Sequence, residues 1–199
     1  MLNKIKISKI DKKNKYIAII FFIVFSIMEI QALGMESHYK YDLLMCLALL
    51  VAAYYFRSKL HLYWGHYFLF SIFLLLHCLG MYQFYEKYPL GVEYDYWVHG
   101  YFGLVSSLFI LRYFVKSEYR FSGFFCVIST FIVVLGMSSA HELYEFAGAI
   151  LLGEGDGVLF IGAGDIDQWD TQKDMLNNLI GAIVGVCLKL VFSQGSNDY

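Results

Sequence analysis

The sequence predicts an all-α, polytopic membrane protein: about six transmembrane helices in one bundle, with both termini cytoplasmic. Three observations predict it. Of 199 residues, 59% are hydrophobic and only 16% are charged, whereas an average soluble domain carries about 25% charged residues. The apolar residues fall into six long runs separated by short polar breaks, each run approaching the length needed to cross a bilayer. The basic residues collect in alternate breaks, as the positive-inside rule requires. No stretch is both polar and long enough to make a separate soluble domain, so residues 16-193 read as one transmembrane domain. A basic arm (1-15) precedes it and a short tail (194-199) follows, both expected in the cytoplasm.

The first span is expected at 16-33, after an arm holding Lys4, Lys6, Lys9, Lys12, Lys13 and Lys15. A cleaved signal peptide would need small residues around a cut site. Glu29-Ile-Gln-Ala-Leu-Gly does not supply them, so an uncleaved membrane helix is expected. The second span is placed at 41-56 and the third at 62-84. The fourth follows at 95-115, and the sixth at 171-192. The fifth, 121-152, is long enough to tilt or to project beyond the bilayer. Arg57 and Lys59, and then Arg112, Lys116 and Arg120, fall on the same side as the arm, with Lys189 near the tail. The opposite side keeps Lys40, Lys87 and Lys173. The acidic loop 153-170 therefore faces the periplasm or exterior. The basic arm is explained by this asymmetry, so the partner it implies is the lipid bilayer and not nucleic acid. The single proline, Pro89, lies in an outer loop, so proline kinks in the spans are excluded. Cys46, Cys78, Cys126 and Cys187 all sit in apolar runs, none in a C-x-x-C pair, and are expected to be buried packing residues.

Function is expected where polar residues enter the spans. On the sixth span, Asp170, Asp174, Asn177, Asn178, Gly181 and Gly185 fall within an arc of roughly 100° at helical spacing. Polar and small residues thus share one face, which in a membrane turns toward protein or a wet cavity. On the fourth span Asp95 and His99 are i,i+4 partners, with Gly103 and Ser106 continuing their face. On the fifth, Ser138, His141, Glu142, Glu145 and Gly148 occupy about 120° of arc. Glu145 lies roughly 36 Å along its helix from Phe121, and His99 and Asp174 each about 6 Å inside the outer end of theirs. Three consecutive spans of alternating direction therefore bring their ionisable groups to one level.

Several acids at one level repel unless they are protonated, paired or bound to a cation. His99 and His141 offer nitrogen; Asp95, Glu142, Glu145, Asp170 and Asp174 offer oxygen. This mixed set suits Zn²⁺, Mn²⁺ or another divalent metal, which is the implied cofactor. Glu142, Glu145 and Asp174 are the candidate catalytic carboxylates for metal-assisted hydrolysis of a lipid or envelope headgroup. His141-Glu-Leu-Tyr-Glu145 resembles the H-E-x-x-H zinc motif with its second histidine replaced. Interfacial decoration and GxxxG packing, as in Gly181-x-x-x-Gly185, are the plainer alternative. A small transporter or proton/ion relay is another, with Glu29 and His77 somewhat deeper and His66 in the cytoplasmic half. Asp165, Asp167 and Asp170 could add oxygen ligands for Ca²⁺ from the glycine-rich loop, although a solvated acidic loop is the simpler expectation. There is no Gly-x-Ser-x-Gly elbow, P-loop or dinucleotide fingerprint.

The same residues carry a family resemblance. Tyr94-Asp-Tyr-Trp-Val-His99-Gly-Tyr-Phe-Gly103, Glu142-Leu-Tyr-Glu145, Gly164-Asp165 and Trp169-Asp-Thr-Gln-Lys-Asp174-Met-Leu-Asn-Asn-Leu-Ile-Gly181-Ala resemble the YjdF-like bacterial inner-membrane proteins over about the second half of the chain. More distantly, the acid-x-x-x-His helix, the Glu-bearing helix and the Asp-x-x-Asn-x-x-Gly-Ala helix resemble VanZ-like proteins. The first resemblance implies a multi-pass protein of the bacterial inner membrane. The second implies a non-catalytic envelope or glycopeptide-resistance factor as a further alternative.

Overall fold

A computed structural model describes residues 2–35, 38–117, 119–152 and 169–193. The protein is all-α, with no strand among the described residues. Among the described residues six α-helices follow one another: α1 (Leu2–Leu33), α2 (Tyr39–Phe56), α3 (Trp64–Cys78), α4 (Tyr94–Lys116), α5 (Gly123–Leu152) and α6 (Asp170–Ser193). Each contains or extends into a segment long and apolar enough to cross a membrane. Helices are the expected form there, because only internal hydrogen bonding satisfies a backbone surrounded by hydrocarbon.

The bundle is built as two groups of three. In the first, α1, α2 and α3 pack on one another around Phe25, Leu43, Leu50, Tyr67 and Leu74, all essentially inaccessible. In the second, α4, α5 and α6 pack together, with α4 against α6 as the most extensive pairing of the molecule. The contact between α3 and α4 joins the two groups. Outside, Ile20, Ile23, Phe124, Ile132, Leu151 and Val191 stand exposed, as side chains facing lipid do. Several hydroxyls within the helices bond to backbone carbonyls, either one turn back or, for Tyr67, across to the neighbouring helix α2. Ser71 Oγ donates to the Tyr67 carbonyl at 2.8 Å, Thr130 Oγ1 to the Cys126 carbonyl at 2.7 Å, and Tyr67 Oη reaches the Leu50 carbonyl at 3.0 Å.

Three local features differ from the sequence expectation. The basic arm is not separate from the first span, since α1 is helical from Leu2. The third span does not continue as one α-helix to residue 84. It ends at Cys78 and gives way to 3₁₀ turns at Leu79–Tyr82, Phe84–Glu86 and Pro89–Gly91. The cause lies at Gly80 and Gln83. A methyl at position 80 would overlap the Tyr39 hydroxyl and the Tyr85 ring, so the chain turns tightly here, and Gln83 takes a left-handed φ of 60°. The cysteines also divide: Cys46, Cys78 and Cys126 are buried, but Cys187 is exposed on α6. Its face of the helix looks outward to lipid and not into the bundle.

A candidate metal centre at one end of the bundle

The ends that meet are the starts of α2, α4 and α6 and the finishes of α3 and α5, because successive helices run in opposite directions. α4 is fixed to its neighbours at this end. Tyr94 Oη donates to the Leu76 carbonyl at 2.8 Å and Trp97 Nε1 to the Pro89 carbonyl at 3.3 Å. One turn on, Asp95 Oδ1 and His99 Nε2 lie 3.5 Å apart on one face.

Glycine brings α6 against that face. A methyl on Gly103 would overlap the Asn178 carbonyl, and one on Gly181 would overlap the Gly100 carbonyl. The two backbones therefore touch where side chains would otherwise hold them apart. The approach delivers Asp174, only 3% exposed, so that its Oδ2 lies 3.4 Å from His99 Nε2. One ligand atom each from Asp95, His99 and Asp174 then lies within 4.8 Å of the other two.

These separations carry chemical information. At 3.4 and 3.5 Å the imidazole and carboxylates are longer than an ordinary N–H···O hydrogen bond of roughly 2.7–3.2 Å. They match the edge of a tetrahedral shell, because ligands about 2.1 Å from a common ion stand about 3.4 Å apart. Asp174 Oδ1 is buried with no hydrogen-bond partner. Two carboxylates beside one imidazole need a proton or a cation between them.

The other ring nitrogen of His99 is held from behind. Asn178 Nδ2 lies 3.1 Å from His99 Nδ1 and donates to Ser138 Oγ at 2.6 Å, linking α6 to α4 and α5. Turned over, the same amide would present Oδ1, which has no partner as placed, to an Nδ1–H. That would leave the Nε2 lone pair facing the carboxylates, the tautomer a metal ligand needs.

The remaining expected residues stand around this core. On α5, His141 Nε2 lies 3.2 Å from Glu145 Oε1, and the His141 ring is centred 6.1 Å from that of His99. Glu142 accepts a hydrogen bond from Thr171 Oγ1 at 2.9 Å. Asp170 occupies the first turn of α6, outside the three-residue group. Asp165 and Asp167, proposed with Asp170 for Ca²⁺, lie outside the described residues. So the structure gathers Asp95, His99 and Asp174, sets His141 and Glu145 beside them as a pair, and engages Glu142 elsewhere.

Asp42 and Tyr85 escaped the sequence reading, which named His77 only as part of a candidate relay. Asp42 in the first turn of α2 is fully buried, with Oδ2 3.7 Å from His77 Nε2. His77 Nδ1 lies 3.1 Å from Tyr85 Oη, and its ring is centred 6.2 Å from His141. Burial first, and the Asp95 charge second, push the Tyr85 hydroxyl well above its usual range. It therefore keeps its proton and can donate to His77. Histidines 77, 141 and 99 form a ladder from Asp42 to the three-residue cluster. Asp42 carries the signal already recognised on α4 and α6, an acid in the first turn of a membrane helix.

Beside the ladder lies a cavity of about 310 Å³. Met45, Leu49, Phe73, Phe102 and Met137 line most of it, and His77, His99, His141 and Asn178 line its polar end.

With this geometry in place, comparison with known proteins adds three findings. A family model described as "Predicted membrane protein (DUF2238)" matches residues 14–195. The inner membrane protein YjdF of Escherichia coli (strain K12) is 32% identical over 113 residues, covering 51% of this chain and 53% of that protein. The chain thus matches about half the length of this curated relative. No solved structure matches. The comparisons bear out the YjdF-like resemblance; the VanZ-like one gains no support from them.

Proposed function

The chain belongs to the DUF2238 family of predicted membrane proteins, and from that premise we propose that it is a multi-pass inner-membrane protein whose Asp95, His99 and Asp174 hold a divalent cation for hydrolytic chemistry on an envelope component. The observation that carries this reading is the spacing of the three ligand atoms together with the unpartnered, buried Asp174 Oδ1. Two carboxylates and one imidazole neutralise a divalent ion and leave coordination positions for water and substrate, the pattern of a catalytic site and not of a closed structural one. Asn178 is the positioning residue that sets the His99 tautomer.

A cation held by Asp95, His99 and Asp174 would supply an acidified water and a Lewis acid. His141, oriented by Glu145 at 3.2 Å, accepts the water's proton as general base, the arrangement of a base held by a carboxylate. The water oxygen would then add to the electrophilic centre while the bond from that centre to the leaving oxygen breaks. The same proton then passes to the leaving oxygen, so no net charge is left behind. The asymmetry of basic residues supports placing this end on the periplasmic side and both termini in the cytoplasm.

The test is metal analysis of protein purified without chelator, followed by titration with Zn²⁺ and Mn²⁺. Wild type is expected to bind about one ion per chain, and Asp174→Asn or His99→Ala to lose more than about 100-fold in affinity. Folded wild type that takes up neither ion sinks the proposal.

The histidine ladder supports a second reading, a proton relay. All its members lie near one end of the bundle, so it crosses between helices and does not run through the bilayer. Proton flux into liposomes that disappears in His77→Ala and His141→Ala would make the ladder one part of a longer path across the bilayer and favour transport over hydrolysis.

A further inference from the structure

We propose that the cavity beside the cluster is a slot for one hydrocarbon chain of a membrane lipid, entered sideways between α2 and α5, so that the substrate is an amphiphile taken from the bilayer and not a solute. The assignment of its headgroup to the Asp95–His99–Asp174 centre rests on the metal reading above; the slot is read from separate observations.

The first is where the cavity opens. Its floor is closed by Leu74 and Val98, 1% and 3% exposed. Its rim is open, with Leu49 on α2 and Met137 and Tyr144 on α5 each more than a third exposed. α2 and α5 do not pack extensively on one another, so the opening lies between them. Leu49 is ten residues into α2, about 15 Å from its start, which is the middle of a ~30 Å hydrocarbon layer. Met137, fifteen residues before the end of α5, lies about 22 Å from that end, and α5 is long enough to project beyond the bilayer. An opening at that depth meets acyl chains.

The second observation is the grading of the walls. The body of the cavity offers side chains that cannot hydrogen-bond, and such a cavity does not hold water. The hydrogen-bonding side chains His77, His99, Ser138, His141 and Asn178 gather toward the cluster, with Tyr144 at the rim. A ligand that satisfies both has an apolar tail and a polar head, in that order along the slot.

The third is size. A methylene takes up about the space of a water molecule in the liquid, roughly 30 Å³. The cavity of about 310 Å³ therefore holds about ten carbons of one chain. That is the scale of one chain, and it is too small for a helix of another copy, which is ~10 Å across.

The full-length protein in vesicles of phosphatidylethanolamine and phosphatidylglycerol tests the slot, with a small fraction of phosphatidylethanolamine carrying a photoreactive diazirine in mid-chain. After illumination, adducts are mapped by mass spectrometry. Adducts on Phe102 and Val98, which lie inside, are expected to be several-fold denser than on the lipid-facing Ile180 and Val184 of α6. Met137→Trp, a change at the open rim, is expected to lower the Phe102 adducts several-fold with Zn²⁺ uptake unaltered. Labelling no denser inside than on α6 overturns the slot, as does capture of a second copy at Met137 in place of lipid. Enriched adducts in a protein that binds neither Zn²⁺ nor Mn²⁺ leave the slot standing and remove the metal centre. Metal uptake with uniform labelling does the reverse.

Discussion

Replacing Gly181 with alanine tests the contact on which the whole site depends. The new methyl would overlap the Gly100 carbonyl, and the adjacent atoms are the Gly100 carbonyl carbon and the Leu104 amide. These are backbone atoms and cannot swing aside as a flexible side chain would, so α4 and α6 must part. Forcing a methyl into such a contact costs roughly 1–3 kcal/mol. For a chain of this size each kcal/mol shifts Tm by about 2–4 °C, so a central cost of about 2 kcal/mol lowers it by about 4–8 °C. Gly136→Ala is the internal control, because it lies within α5 and a methyl there meets nothing within 4 Å. It should raise stability slightly, by about 0.5–1 kcal/mol, since glycine in a helix interior is worse than alanine by that amount. The assay is thermal unfolding in one detergent, followed by circular dichroism, with Zn²⁺ titration of each variant. Parting the helices also moves Asp174 beyond its 3.4 Å separation from His99, so affinity falls with Tm only in Gly181→Ala. Equal melting of the two variants would refute the close approach of α4 and α6, and with it the origin of the cluster.

Asn178→Ala strands His99 Nδ1 and Ser138 Oγ in a buried setting. It should cost about 1–3 kcal/mol by thermal unfolding and weaken Zn²⁺ binding about 10–100-fold by titration. Asp42→Ala removes one side of a buried pair with His77 and is expected to destabilise by about 3–5 kcal/mol, against less than about 0.5 kcal/mol for the exposed Glu86→Ala outside the spans. Both are measured in the same melting assay. Zn²⁺ affinity should rise with pH, because the carboxylate and imidazole ligands must lose their protons to bind; affinity that is flat or falling with pH argues against these ligands. In detergent, a thiol reagent should modify Cys187 and spare Cys46, Cys78 and Cys126, as peptide mapping would reveal.

The helices were legible because hydrocarbon imposes a simple rule, and six apolar runs obey it. The third was overextended because apolarity continues through Leu79, Met81 and Tyr82 after the α-helix stops. What stops it is a steric fact about Gly80, the nearby Tyr85 and the distant Tyr39 of α2, which no local pattern records. For the site, i,i+4 spacing put Asp95 beside His99, and the acidic, glycine-bearing face of α6 pointed to Asp174. Helical spacing fixes a face but not its neighbour, so the gathering of these three, with Glu142 bound instead to Thr171, depends on how α4, α5 and α6 are rotated about their axes. Asp42 stayed hidden for the same reason. Alone at the head of α2 it looks like an interfacial acid, and only the placement of His77 on α3 makes it part of a network.

The pairing of α4 with α6 also sets an order of events during synthesis. Asp95 and His99 are neighbours as soon as α4 coils, while their third companion arrives only with α6, which leaves the ribosome well after α4. Until then, a carboxylate and an imidazole must wait at the edge of the bilayer with their final partner missing, and N-terminal elements generally fold before C-terminal ones. Insertion of α6 therefore completes the glycine contact and the polar cluster in one step. A chain interrupted before residue 170 would lack both, leaving ionisable groups exposed in a form that quality-control proteases can recognise.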